Sequence, residues 1–339
     1  MENLHCHSVV SDGKLTYQEN LTIAEKFDVK VVAFTDHDSL PSLENLQKLR
    51  ATKTSVRWIT GIEISAVKLK ELGNRQLSLF HILGLFVDTN NKELLTYCTK
   101  AQAARIERME RMIKNLQELG FQVNVDDCLK ASGGEVVGRP HIVQALQSHE
   151  ENKVIINGLV EKMRKAADND VVIKANYEKM LQEGEGHYPY ALFLTDEAFI
   201  KGIFVNYLYQ TDMDEAVGLI RNAGGVAILA HYYSVQKYLS PALLEILVAT
   251  KRLDGLEQTC GLFAYGGPME AEVRESRIVT KRLIKKYGCL ETGGMDSHSS
   301  DDWKQFAENK WYSQETEGML EKMLATKKVR LTGDNCNFS

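Results

Sequence analysis

At 339 residues the chain is longer than one hydrophobic core usually supports, so one large domain with an insertion, or two domains, is expected. A composition of 44% hydrophobic and 26% charged residues is that of an ordinary globular protein and excludes a disordered chain. The net charge of −5 argues against non-specific binding to long nucleic acid and against a stable DNA complex, while leaving room for a local basic pocket.

The chain opens "MENLHCHSVVSDG", with His5 and His7 one residue apart and Asp12 close behind. "TYQENLTIAEKF" follows, where Thr16 and Glu19 form a capping-box pattern that predicts a helix. "VVAFT" (31–35) predicts a strand, and "SLPSLENLQKLR" a helix capped by Ser39 or Ser42. "RWITGIEIS" (57–65) and "LSLFHILGLF" (77–86) predict two further strands, and the alternation of strand and helix implies a parallel sheet.

From about 90 to 210 helical periodicity takes over. Ile106, Met109, Ile113 and Leu116 form one apolar stripe. Arg105, Arg108, Arg111 and Lys114 flank it; they read first as a solvated basic face and second as a stripe facing substrate. Further helices are expected at about 141–148, 155–168 and 174–183. After 213 the α/β pattern returns: "DMDEAVGLIRNAGG" is a helix with a glycine at its end, "VAILAH", "LDGLEQ" and "CLETGGMDSH" are strands, and "EVRESRIVTKRLIKKYG" is a helix. The expected organisation is therefore an α/β domain built from 1–86 and 213–339, interrupted by a helical insertion over 87–212 that covers its mouth.

Polar, ligand-type residues recur in these strands or just past their ends: His5, His7, His37, Glu63, His81, His231, Asp296 and His298. In parallel α/β folds that edge is where sites are built. Residues two apart on an extended chain share a face, so His5 can converge with His7, and Asp296 with His298. Glu63 lies between Ile62 and Ile64, where a buried carboxylate is costly unless a cation or hydrogen bonds satisfy it. Nitrogen and carboxylate donors together suit Zn, Mn or Fe. Cys6 points away from the two histidines and is read as packing. The other cysteines, Cys98, Cys128, Cys260, Cys289 and Cys336, are scattered without a C-x-x-C pair, which fits a reduced, cytoplasmic setting. No apolar run of about 18 residues predicts a membrane span, and no apolar signal region precedes His5.

The ordered motifs "LHCHSVVSDG", "FTDHD", "GIEIS", "HILG", "GRPH", "AILAH" and "GMDSH" resemble the PHP (polymerase and histidinol phosphatase) phosphoesterases. The resemblance is nearest to the branch of nucleoside 3′,5′-bisphosphate phosphatases and 5′→3′ exoribonucleases whose helical insertion carries "GRPH". It implies a distorted (β/α)7 barrel with an inserted helical domain and two or three divalent metal ions (Mn, Fe or Zn). Carried over by motif, His5, His7, Glu63 and Asp296 would hold a first metal. Glu63 would bridge to a second held by His81 and His231, and Asp12, His37 and His298 would hold a third. Arg139, with His141, would bind the substrate phosphate. The sequence departs from the family pattern at Asn3, where Asp is usual, at Tyr232 after His231, at Met295, and over 150–210.

The function implied is hydrolysis of a phosphomonoester of a small metabolite, with a nucleotide such as a nucleoside 3′,5′-bisphosphate as the first expectation, by a hydroxide bridging two metals. The alternatives are a 5′→3′ exonuclease on short RNA, a histidinol-phosphate phosphatase, and a non-catalytic metal-binding module.

Overall fold

The protein was analysed as a computed structural model, which describes residues 1–73, 80–133, 136–260, 270–308, 314–326, 328–329, 331–332 and 335–338. The chain divides into two compact units, 1–101 with 210–339, and 102–209.

The first unit is built on a sheet. Its strands are β1 (Glu2–Cys6), β2 (Val31–Phe34), β3 (Arg57–Lys68), β4 (Phe80–Leu85), a short β5 (Thr211–Asp212), β6 (Val226–Leu229), β7 (Gly255–Cys260) and β8 (Leu290–Gly294). The spatial order is β1-β2-β3-β4-β6-β7-β8, with β5 pairing β3 to one side. Closure between β8 and β1 comes just past the strands: the His7 N–H donates to the Ser297 carbonyl at 2.9 Å, and the Ser297 N–H to the His5 carbonyl at 3.3 Å. The result is a nearly closed seven-stranded barrel. Gly294 permits this closure, because a Cβ there would lie 2.5 Å from the His5 nitrogen.

The expectation of a parallel sheet is corrected at one strand. β4 runs antiparallel to both β3 and β6, while the other pairs along the barrel are parallel. The reason is the short connection over 69–79, since a parallel return needs a crossover of a dozen or more residues. The first residues of the predicted strand, 77–79, lie outside the described residues.

Helices α1 (Tyr17–Lys26) and α2 (Leu43–Ala51) follow β1 and β2. Thr16 caps α1 in a reciprocal capping box with Glu19, and Ser42, rather than Ser39, caps α2. Alternate residues of the strands feed two cores. Val32, Phe34 and Trp58 pack with Tyr17, Leu21, Leu49 and Trp303 on the helix-covered side. Val31, Ala33 and Ile59 pack instead with Leu85, Ile228 and Leu290. That second core also takes in Met319, Leu320 and Met323.

The second unit is helical. It holds the greater part of α3 (Lys92–Glu118), then α4 (Val125–Ala131), α5 (Arg139–Gln147), α6 (Glu151–Ala167) and α7 (Val171–Glu183), with a π-helical turn over Tyr190–Leu194. The predicted stripe of α3 is its core face: Met109, Ile113 and Leu116 are buried with Phe121, Ile142, Leu146 and Phe193, and Ile106 packs against them. The flanking basic residues split. Arg111 is exposed and pairs with Glu107, whereas Arg105 and Arg108 are buried, which corrects the reading of a solvated basic face.

Back in the first unit, α8 (Met213–Asn222) ends at Gly224 in the left-handed region, as the paired glycines predict. α9 (Pro241–Ala249), α10 (Glu270–Tyr287), α11 (Ser300–Glu308) and α12 (Met319–Ala325) complete the order. Among the described residues, no helix is long and apolar enough to cross a membrane.

Candidate metal centre

Barrel direction decides which side chains meet. His5 and His7 lie at and just past the end of β1, His37 follows β2, His231 follows β6, and Asp296 and His298 follow β8. β4 runs the opposite way, so His81, near its beginning, arrives at the same rim, opposite Ser65 of β3. Glu63 comes from within β3, bridged to His37.

Three groups of donor atoms result. His5, His7, Glu63 and Asp296 form one, His7, Asp12, His37 and His298 a second, and His37, Glu63 and His81 a third, each with its atoms within 4.8 Å of one another. In the first group His7 Nε2 lies 3.2 Å from His5 Nε2, 3.1 Å from Glu63 Oε2 and 3.0 Å from Asp296 Oδ1. His5 Nε2 is 3.3 Å from Glu63 Oε2 and 3.2 Å from Asp296 Oδ1. Donors about 2.1 Å from one cation stand about 3.0 Å apart in an octahedron and about 3.4 Å apart in a tetrahedron. The observed separations fall in that interval. The other oxygen of Glu63 faces a different pair: Oε1 is 2.8 Å from His81 Nδ1 and 3.2 Å from His231 Nε2, which are 3.1 Å from each other. The group around Asp12 is looser, with His298 Nε2 at 3.3 Å and His37 Nε2 at 3.7 Å.

The donor set fits divalent cations on a second ground. Glu63 Oε2 and His37 Nδ1 are buried and 3.1 Å apart, yet neither makes a hydrogen bond. A buried carboxylate left so would be costly unless a cation took the place of the missing donors.

The charges agree. Burial pushes the Glu63 carboxyl up, but His81, His37 and His5 together hold it well below the usual carboxylate range. Burial likewise opposes ionisation of His7, but the adjacent Asp296 and Glu63 carboxylates outweigh it and raise the ring to about 10. His37 goes the other way, to about 3, because its burial exceeds the pull of Glu63 and Asp12. The carboxylates are thus ionised, and cations would exchange with protons on the histidines.

The chain spends strain on this rim. Asp296 has φ 55° and His231 φ 25°, both in the left-handed region that side-chain-bearing residues seldom adopt. Polar residues that sequence reasoning passed over hold the donors in place. Asp36 accepts from the Ser8 N–H at 2.8 Å, Ser11 Oγ at 2.7 Å and Tyr17 OH at 2.6 Å. Glu257, on β7, has one oxygen 3.1 Å from His5 Nδ1 and accepts from the His231 N–H at 2.8 Å on the other. The sequence marks Glu257 less clearly than Glu63, because Gln258 and Thr259 follow it where Glu63 has an isoleucine on each side. Asn3, the departure from the family's Asp, donates to Ser297 Oγ at 2.9 Å and accepts from the Met295 N–H at 2.8 Å, so it ties β1 to the segment after β8.

Arg139 and His141 belong to the second unit. "GRPH" is the start of α5, with Gly138 at the cap and Pro140 in the first turn. His141 is buried, and its Nδ1 accepts from the Gly138 N–H at 2.9 Å. Arg139 donates to the Leu194 carbonyl at 3.2 Å and lies over the Tyr190 ring at 5.6 Å. Arg108 donates through Nε to the Val205 carbonyl at 2.6 Å and stacks over Tyr207 at 4.1 Å. Its buried NH2 makes no hydrogen bond. Burial first, and then the neighbouring Arg139 and Arg105 against an opposing Tyr207, bring Arg108 down to about 10.

Residues 3–216 match the family model described as PHP domain. A 5′-3′ exoribonuclease of Haemophilus influenzae is 24% identical over 91% of this chain and 93% of its own length. A phosphoribosyl 1,2-cyclic phosphate 1,2-diphosphodiesterase of Eggerthella lenta is 27% identical over 88% and 94%. A 3′,5′-nucleoside bisphosphate phosphatase of Chromobacterium violaceum is 25% identical over 68% and 66%. Among solved structures, a Bifidobacterium adolescentis chain assigned as a metal-dependent phosphoesterase superposes with a TM-score of 0.64 at 22% identity, covering 97% of this chain and 96% of that one.

Proposed function

The chain belongs to the PHP domain family, and from that premise we propose that it is a metal-dependent phosphoesterase that removes a phosphate from a small phosphorylated metabolite, first among them a nucleoside 3′,5′-bisphosphate. The observation that carries the reading is Glu63, whose two oxygens each face a different set of imidazole nitrogens. In this proposal His5, His7, Glu63 and Asp296 hold one cation, Glu63, His81 and His231 a second, and Asp12, His37 and His298 a third where one binds. Mn, Fe and Zn all suit the nitrogen and carboxylate donors. Such cations supply positive charge to a phosphate and lower the pKa of water.

The protein's own contribution is placement. The rim residues fix donor geometry from six strands, and the surrounding histidines keep the buried Glu63 carboxylate ionised. Arg139 is proposed to bind substrate phosphate, with His141 positioning it through the cap of α5. The support lies within the second unit, where Arg105, Arg108 and Arg139 influence one another and the Arg108 NH2 is buried without an acceptor. A phosphate oxygen would give the Arg108 NH2 an acceptor, and a planar guanidinium suits it. Cys6, Cys98, Cys128, Cys289 and Cys336 are free thiols, which supports the expected cytoplasmic setting.

A second reading, exonucleolytic cleavage of short RNA, is favoured by the length of the match to the exoribonuclease, 91% of this chain. The deciding experiment incubates the Mn²⁺-loaded protein with adenosine 3′,5′-bisphosphate, a 5′-phosphorylated RNA pentamer and a 1,2-cyclic ribose phosphate in parallel. The proposal expects orthophosphate from the bisphosphate at a kcat/KM at least tenfold above that for the other two. Preferential release of mononucleotides from the pentamer establishes the second reading instead, and no turnover of any phosphate ester refutes both.

A further inference from the structure

We propose that Glu257 is a positioning residue that holds one ligand of each of two cation sites, so that the sites form together. The inference rests on the metal reading above. Glu257 is buried on β7, and its side chain is fully enclosed. A carboxyl group with no access to water needs partners on both oxygens. One donor is the His231 N–H, 2.8 Å from Oε2. The other has to be His5 Nδ1, 3.1 Å from Oε1. A neutral His5 ring would thereby carry its proton on Nδ1, and its Nε2 lone pair would face His7, Glu63 and Asp296.

The second oxygen acts on different geometry. His231 follows β6 in a left-handed conformation, and the bond to Glu257 holds its N–H there. The ring then reaches Glu63 Oε1 at 3.2 Å and His81 Nδ1 at 3.1 Å. Its remaining nitrogen, Nδ1, is 3.0 Å from Ser234 Oγ. Ser234 thus orients one ligand ring, whereas Glu257 orients a ring on β1 and a backbone after β6.

Glutamine cannot replace this carboxylate. If its NH2 faces His5, Nδ1 must accept, the proton moves to Nε2 and the donor toward the cation is lost. If the NH2 faces His231, two N–H donors oppose each other across a gap that is 2.8 Å here. Either way one of the two contacts fails. Aspartate keeps the charge and both acceptors but reaches less far.

The test uses the full chain, stripped with chelator and titrated with Mn²⁺ alone by equilibrium dialysis. Wild type, Glu257→Gln, Glu257→Asp and Ser234→Ala are compared, with circular dichroism of each metal-free protein as the check of folding. Glu257→Gln should weaken both of the tightest binding steps by about 10–100-fold. Ser234→Ala should weaken one step only, and Glu257→Asp should fall between wild type and Glu257→Gln. Glu257→Gln within twofold of wild type at both steps overturns the inference. So does Glu257→Asp no better than Glu257→Gln, because the residue would then matter for its volume and not its charge. Should Glu257→Gln not fold, Glu257→Asp decides alone: weakening of both steps supports the inference, and wild-type binding overturns it. A wild type that binds no Mn²⁺ refutes the metal reading itself, an outcome distinct from losses confined to the variants.

Discussion

Replacing Glu63 with glutamine should lower metal retention and activity together. Oε2 of the carboxylate lies 3.1 Å from His7 Nε2 and 3.3 Å from His5 Nε2, while Oε1 lies 2.8 Å from His81 Nδ1 and 3.2 Å from His231 Nε2. An amide has one oxygen and one NH2, so one of the two sets must face a donor where it had an anionic acceptor. Stripping a buried charge of its partner costs about 3–5 kcal/mol, and at about 1.4 kcal/mol per decade this is roughly two to three and a half decades of affinity. The assay is metal per chain after dialysis against buffer, followed by phosphate release as a function of added Mn²⁺. The expected variant retains at least one metal fewer than wild type, with activity falling in step. A Glu63→Gln protein that keeps wild-type metal content and turnover would refute the bridging role.

Other substitutions separate binding from catalysis. Arg139→Ala should leave metal content intact and lower kcat/KM by about 10²–10³, with Arg139→Lys recovering only part, as expected for loss of one oriented donor; full activity in Arg139→Ala removes the residue from the site. Gly294→Ala would place a Cβ 2.5 Å from the His5 nitrogen, where ordinary contact begins at 3.4 Å, so β8 and β1 must part. We expect about 1–3 kcal/mol of lost stability and a weakened first metal site, both read by thermal melting with and without Mn²⁺. In the chelated protein, His7 is raised to about 10 and His37 lowered to about 3 from an ordinary value of 6.5. The raised group stabilises the fold below about pH 6.5, and that contribution is lost as pH rises toward about 10; the lowered group withdraws stability as pH falls from about 6.5 toward about 3. The melting temperature of the chelated protein should therefore peak close to pH 6.5, and a steady rise from pH 6 to 9 would contradict it.

The rim was legible because its residues have no place in the elements that carry them. Glu63 among isoleucines, and His81 inside "LFHILG", interrupt apolar strands that would otherwise be core. The direction of β4 was not legible from its own pattern, since alternation is the same read either way; the connection too short for a crossover held that information. Glu257 lacked the signal that marked Glu63, because Gln258 and Thr259 follow it and the stretch reads only as part of a strand. The burial of Arg105 and Arg108 could not be read at all from α3. It comes from aromatic residues a hundred positions away, Phe204 and Tyr207, whose rings cover the guanidiniums. The cap of α5 shows a different difficulty. The helix expected at about 141–148 starts at Arg139, so the residue proposed for phosphate lies in its first turn.

The closure of β1 on β8 sets an order in time. His5 and His7 emerge early in synthesis, but Asp296, the Ser297 that pairs with their strand, and His298 follow only after almost the whole α/β and helical sequence between them. The complete donor group cannot exist on a ribosome that has not yet passed residue 298. Until then β1 lacks one neighbour, and its histidines are exposed donors on an unclosed sheet. Contacts of such separation in sequence are slow to form, and long unpaired edges invite association between chains. On the proposed ligand set, metal acquisition would therefore belong to the end of folding, and a cation captured earlier would meet only part of that set.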